Sequence, residues 1–283
     1  MSISKLNLRG KLVMYADDLS IVYRGTDLQK IEDDMNSDLF DIAWYSNTSR
    51  LFINAKKTQF IVFKGRKKKD TNLNIKLGNK LISQVEQLKL LGVTFSSDFS
   101  FQSHIQNLAE QINKRIGMLS RLRQVLPSEV LNRLYKSTIE PLFTYCSSIW
   151  CFSEKVYTSR LIILQKAAAR IISNEYRFTP SKPLFEKLNW KSIESIWERR
   201  CRILVHKWIN QSVPTMLHNI ISRKPLKHIR QCKKIDEFSA VSNATKLGFY
   251  QKSIFSAGVD SYNLLTKSIR ELPITEFYKF VWF

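Results

Sequence analysis

The chain has 283 residues, 44% of them hydrophobic, which excludes a disordered polymer and leaves enough apolar material to bury one or two cores, and its 8 Gly and 7 Pro are few enough that helices should dominate. Its 45 Lys and Arg against 24 Asp and Glu give a formal net charge of +21 and a pI near 9.9, so a polyanionic partner is expected, nucleic acid before a membrane surface. No apolar run approaches the length of a spanning helix, no secretory apolar core opens the chain, and the 4 cysteines read as reduced thiols in the nucleus or the cytoplasm.

The first predicted element is a β-hairpin. Leu12-Val13-Met14 leads into Tyr15-Ala16-Asp17-Asp18, after which Leu19, Ile21 and Tyr23 alternate with Ser20 and Val22, a period of two typical of a strand. Asp17 and Asp18 then fall at or beside the tip. Adjacent carboxylates repel unless solvent or a cation screens them, so a turn that carries both suits a hard divalent ion such as Mg2+, which takes oxygen ligands at about 2.0–2.1 Å. An ordinary solvated turn, in which aspartate hydrogen-bonds its own backbone, uses the same residues.

Asp27 to Trp44 follows as a helix, with Leu28, Ile31, Met35, Leu39 and Ile42 at helical spacing and Asp41 among its polar positions. Phe60-Ile61-Val62-Phe63 reads as a strand. It runs into the basic loop Lys64-Gly65-Arg66-Lys67-Lys68-Lys69, which is expected to touch phosphates, a nuclear-import signal or a solvated charge run being the other readings. From Phe101 onward the pattern is helical. Ile105, Leu108, Ile112, Ile116, Leu119 and Leu122 mark one apolar face, flanked by Lys114, Arg115, Arg121 and Arg123, a set suited to a duplex backbone.

Ser128 reads as the N-cap of a further helix with Glu129 in its first turn, and Pro141 is expected to interrupt it. A third helix runs through Tyr157, Leu161, Leu164, Ala168 and Ile171, where Ala167-Ala168-Ala169 permits close packing. Trp190, Ile193, Ile196 and Trp197 suggest another, made basic by Arg199, Arg200, Arg202 and Lys207; its tryptophans either stack on bases or anchor packing. Cys201 with His206, and His228 with Cys232, lack the close spacing of a structural zinc site.

The Tyr15–Asp18 hairpin, the block Asn54–Phe63 and the run Leu90-Leu91-Gly92-Val93 resemble, in order and spacing, motifs C, D and E of reverse transcriptases, most closely those of non-long-terminal-repeat (LINE-type) retrotransposons. Leu134-Tyr135-Lys136 through Pro141–Cys146, and Leu164–Arg170, are similar to the helical thumb and its extension in these elements. The resemblance implies an α+β chain: a partial polymerase palm of hairpin, helix and strands over residues 1–97, a mainly helical thumb over 98–175, and a basic helical C-terminal extension over 176–283. It implies two-metal nucleotidyl transfer by an RNA-directed DNA polymerase, with two Mg2+ ions about 3.5–4 Å apart.

In that scheme Asp17 is the principal metal ligand and Asp18 supports it, while Tyr15 and Ala16 lie at the nucleotide and Leu91 and Gly92 grip the primer. Lys57 matches the motif D lysine that protonates or steadies departing pyrophosphate. A buried strand tyrosine is the other reading of Tyr15, and a surface lysine that of Lys57. The partners implied are an RNA template and a DNA primer, or an RNA–DNA hybrid.

The family also carries a catalytic aspartate on an earlier palm strand, and fingers that hold the incoming nucleotide; neither fits before Leu12. The chain by itself is therefore expected to be inactive and to need a missing upstream polymerase half. Three readings stay open: a truncated product that works only within a longer polyprotein, a domesticated RNA- or DNA-binding module, and a decayed reading frame.

Overall fold

The computed structural model describes residues 6–63, 72–215 and 257–280, together with residues 3, 218, 221–223 and 240–242. The chain divides into two compact units, residues 1–99 and 100–283. Long helices alternate with short two-stranded sheets, an α+β composition. No helix among the described residues is long and apolar enough to cross a membrane.

The first unit opens with the antiparallel hairpin of β1 (Lys11–Tyr15) and β2 (Asp18–Val22), in register from Lys11↔Val22 to Tyr15↔Asp18. Helix α1 (Leu28–Thr48) starts where Asp27 caps it, its side chain accepting from the Gln29 and Lys30 amides, so that two of the unpaired first-turn donors are satisfied. It runs one turn beyond the expected Trp44, and Ser46 in that turn is buried. Met35, Leu39 and Ala43 pack against a small core of Phe60, Ile75, Leu77 and Ile82.

The unit continues with β3 (Gln59–Phe60), β4 (Lys76–Leu77), β5 (Lys80–Leu81), β6 (Ser83–Gln84), β7 (Gln87–Leu90) and β8 (Val93–Ser96). The strand expected over Phe60–Phe63 is cut to Gln59–Phe60. Its parallel partner β6 offers only Ser83 and Gln84 to pair with, and Phe63 instead stacks on Phe99 at 4.1 Å between centroids.

The second unit is helical: α2 (Gln102–Leu122), α3 (Ser128–Thr138), α4 (Glu140–Thr144), α5 (Ser147–Trp150), α6 (Lys155–Ile172), α7 (Ser181–Leu188) and α8 (Ile193–Ile209). The pair β9 (Ile221–Arg223) and β10 (Ala240–Ser242) follows, then α9 (Val259–Asn263), α10 (Lys267–Arg270) and α11 (Ile274–Phe280). Ile105, Leu108, Ile112, Ile116 and Leu119 are buried along α2, as their spacing predicts, and α6 packs along it with Ala168 and Ala169 fully enclosed.

Two helix boundaries differ in detail from expectation. Ser128 is the first residue of α3, not its cap; Pro127 takes the extended cap geometry, because a fixed φ (−67°) fits there and no amide is lost. Pro141 falls in the first turn of α4, after α3 has ended at Thr138, the one place in a helix where a missing N–H costs nothing.

The boundary drawn between residues 175 and 176 runs through a shared core. Tyr135 of α3 stacks on Trp190 at 3.7 Å, and Trp197 Nε1 of α8 donates to the Phe143 carbonyl at 2.7 Å. Gln165 of α6, 2% exposed, donates to the Lys191 carbonyl and accepts from the Ile193 amide, both at 3.0 Å. Trp150 is fully buried, edge-on to Trp197 at 5.3 Å. Trp190 and Trp197 are thus packing anchors, unable in this arrangement to stack on bases.

Candidate active site

Because Tyr15 pairs with Asp18, the hairpin turn consists of Ala16 and Asp17 alone. Ala16 sits at φ 53°, in the left-handed region that favours glycine and costs an alanine on the order of 1 kcal/mol. The turn presents Asp17 and Asp18 outward, both exposed, and among the described residues no basic side chain pairs with either. Tyr15 is 68% exposed, which rules out the buried strand tyrosine, and it pairs in register with Asp18.

Asp38, which no sequence motif singles out, holds this hairpin. It is fully buried on α1 and accepts from the Arg9 amide (3.0 Å), the Gly10 amide (2.8 Å) and the Tyr23 hydroxyl (3.0 Å), while Arg9 Nη1 pairs with it at 3.3 Å. One carboxylate thereby ties the residue before β1 and the residue after β2 to the same helix. Burial, then the hydrogen bond to Asp38, raise the Tyr23 pKa above its ordinary range, so the phenol stays a donor at any physiological pH. A Cβ at Gly10 would lie 2.5 Å from Ile21 and 2.6 Å from the Tyr23 ring, so a larger residue would push one of these side chains aside. The one signal in the sequence was an acid at position 38 in register with Met35, Leu39 and Ile42.

Lys57 stands exposed on a turn built by Asn54. The Asn54 carbonyl accepts from the Lys57 and Thr58 amides and from Thr58 Oγ1, each at 3.0 Å, and Asn54 Oδ1 accepts from the Lys56 amide at 3.1 Å. Asn54 is therefore a turn former, and the buried Phe60 moors the far end of the loop. Leu91 and Gly92 are the two residues between β7 and β8, at φ 46° and 83°. Two successive positive φ values match the twist of a tight hairpin; Leu91 is 42% exposed while Val93 beside it is buried.

All five of these residues, Asp17, Asp18, Lys57, Leu91 and Gly92, belong to the first unit. Two adjacent carboxylates with open solvent around them fit Mg2+, which keeps waters and substrate phosphates among its ligands. No group of three or more His, Cys, Asp or Glu able to hold a metal occurs among the described residues.

On α2 of the second unit Lys114 and Arg121 are exposed, as is Arg123 at its C-cap, but Arg115 turns to donate to the Thr138 carbonyl at the C-terminal end of α3, where a cation is favoured. Lys64, Arg66, Lys67, Lys68 and Lys69 lie outside the described residues, as do His228 and Cys232. Cys201 and His206 are both buried in the C-terminal core, the imidazole stacked on Phe277 at 3.9 Å and its Nδ1 3.1 Å from the Tyr262 hydroxyl.

Comparison with known proteins gives a consistent set. The chain is 23% identical over 186 residues to a probable RNA-directed DNA polymerase from transposon BS of Drosophila melanogaster, covering 65% of this chain and 20% of that protein. It is 27% identical over 167 residues to a retrovirus-related Pol polyprotein from type-1 retrotransposable element R1 4 of Nasonia vitripennis, covering 52% and 42%. With the RNA-directed DNA polymerase from mobile element jockey of D. melanogaster it shares 23% over 167 residues, covering 57% and 18%. No family model matches. No solved structure matches either. The chain thus spans less than half the length of these relatives, and over rather more than half of its own length it is homologous to the RNA-directed DNA polymerases of non-LTR retrotransposons.

Proposed function

We propose that this chain carries the motif C, D and E side of a reverse-transcriptase palm, followed by the thumb, and that it acts in RNA-directed DNA synthesis. The observation that carries the reading is the strained two-residue turn that holds Asp17 and Asp18 out in solvent on a chain of net charge +21. Mg2+ bound there would supply the charge that lowers the pKa of the primer hydroxyl and offsets the negative charge on the leaving pyrophosphate. Asp17 and Asp18 would hold the ion through their carboxylate oxygens. Lys57 offers a proton, or its charge, to the pyrophosphate oxygen. Leu91 and Gly92 support the primer backbone, and Lys114, Arg121 and Arg123 contact duplex phosphates.

Two carboxylates are a partial cage for two ions, so the site is completed by protein carrying a further carboxylate. Primer extension on an RNA template with Mg2+ or Mn2+ should therefore show no product from this chain alone; robust extension would overturn that requirement. Joined behind the fingers and first palm strands of a jockey-type polymerase, the chain should restore extension. Asp17→Asn should then lower the rate by at least roughly 10²–10³. A chimera that folds and stays inactive, or one indifferent to Asp17→Asn, would sink the proposal.

A further inference from the structure

In the second unit the described tryptophans are spent on the core: Trp150, Trp190, Trp197 and Trp208 are at most 8% exposed. The open rings are elsewhere. Tyr176 and Phe178, 74% and 76% exposed, stand in the link between α6 and α7 with Arg177 between them. Two aromatic rings left in water forgo the stabilisation that burial would give, on the order of 2 kcal/mol each, so their position calls for a reason.

The link is built to a defined shape. Just past the Ser173 cap of α6, Asn174 lies at φ 54°, and the Asn174 and Glu175 amides return to the Ile171 and Arg170 carbonyls at 3.2 and 2.9 Å, a closure that turns the chain sharply away from the helix. The Thr179 amide then donates to the Tyr176 carbonyl at 3.0 Å, closing a turn over Arg177 and Phe178. Arg170 Nε donates to the Thr179 carbonyl at 2.9 Å and fixes that turn against α6. The two rings are held with centroids 5.8 Å apart at 55°, and the Arg177 guanidinium lies 5.7 Å from the centre of Phe178.

The surroundings are cationic. Between Arg160 and Lys191 the chain has seven Lys and Arg against two Glu. Arg160, Ile163, Lys166 and Arg170 recur at three- and four-residue spacing along α6, one helix face, over about 15 Å of axis. Arg160 and Ile163 are exposed and Lys166 half-buried, so a track for phosphates leads into the ring pair.

We propose that the Tyr176–Thr179 turn is a stacking platform for unpaired bases, and that α6 guides the phosphates of the same single strand toward it. Flat rings beside cations meet both requirements of single-strand binding, a π-face for each base and positive charge for the backbone. Paired bases hide their faces inside the duplex, and an acidic peptide would use the cations without the rings. The inference deepens the nucleic-acid reading above and rests on it, but needs neither Asp17 nor Mg2+.

Fluorescence anisotropy with the full chain, a short labelled oligothymidylate or oligouridylate, a duplex of the same length and polyglutamate as competitor tests it in metal-free buffer. Tyr176→Ala and Phe178→Ala should each weaken single-strand binding roughly five- to tenfold, the low end of the stacking range for exposed rings. Duplex binding and polyglutamate competition should change less than twofold, and Tyr176→Trp and Phe178→Trp should bind as the parent does. Arg177→Gln should reduce the salt slope by up to about 0.7.

The rings are exposed, so the alanine variants should keep the parent's circular dichroism and melting point, which separates lost stacking from lost fold. Unchanged affinity in the Tyr176→Ala/Phe178→Ala double variant, or equal loss for duplex, would overturn the platform and leave the polymerase reading standing. A parent chain that binds no oligonucleotide would overturn both. A failed chimera with ring-dependent oligonucleotide binding would sink only the polymerase reading.

Discussion

In the hairpin of the first unit Val13, Met14, Tyr15 and Val22 are 41–68% exposed, whereas in the helical unit Tyr135, Phe143, Trp150 and Leu161 are at most 1% exposed. The hairpin is held by a polar clamp, the Asp38 carboxylate and the close approach at Gly10, and the helices by large apolar anchors placed across several elements. Two adjacent carboxylates are costly to take out of water, so the turn that presents Asp17 and Asp18 stays outside a core. The helical unit carries no such constraint and can bury its aromatic residues. Specific polar attachment thus does for the hairpin what burial does for the helices.

Truncating an anchor should cost most. Trp197→Ala removes a buried ring and leaves the Phe143 carbonyl without its donor, and urea denaturation should show a loss of about 3–5 kcal/mol; a loss below about 1 kcal/mol would mean the helical core collapses around the gap. Asp38→Ala should follow at about 2–3 kcal/mol, because two backbone amides and the Tyr23 hydroxyl lose one acceptor together. That loss should be local: hydrogen exchange at the Lys11–Val22 amides should accelerate while exchange in α2 and α6 stays slow. If α2 accelerates equally, the hairpin clamp supports more than the hairpin.

A smaller effect concerns pH. Burial pushes the Glu140 carboxyl above its ordinary 4.5, against the opposing pull of Lys136 and Arg200. The folded state then binds more protons than the unfolded one above pH 4.5, so this group's contribution is complete below that value and is lost as pH rises through the raised one. Glu140→Gln should remove that downward slope and stabilise the neutral-pH protein by at most about 0.5 kcal/mol, solvent screening being substantial at a half-exposed site. A variant whose stability still falls over that range would show that another acid is responsible. Smallest of all, Tyr15→Ala should change stability by less than about 0.5 kcal/mol; a larger loss would mean the ring is packed and the hairpin less open than its exposure indicates.

Much of this was legible from periodicity. The alternation after Asp18 announced β2, the three- and four-residue spacing from Ile105 to Leu119 announced the buried face of α2, and Pro141 marked a helix junction, because each is written in adjacent residues. Leu91-Gly92 reads as a primer grip, and the tight hairpin it forms between β7 and β8 came only with the structure. Less visible were the short reach of β3, set by what β6 has to offer, and the roles of the aromatic residues. Trp190 and Tyr176 are both aromatic residues in basic stretches, and nothing local says that the first stacks on Tyr135 while the second stands in solvent.

What the sequence by itself determined was a set of local elements, a surplus of positive charge and a pair of carboxylates on a turn, since charge, period and turn chemistry depend on near neighbours along the chain. Tertiary structure alone decided that Asp38 clamps the hairpin, that Arg115 serves the end of α3, and that Tyr176 and Phe178 remain open. Those outcomes depend on which distant backbone groups arrive beside a side chain, and only the packed fold brings Gly10 to Asp38 or Thr138 to Arg115.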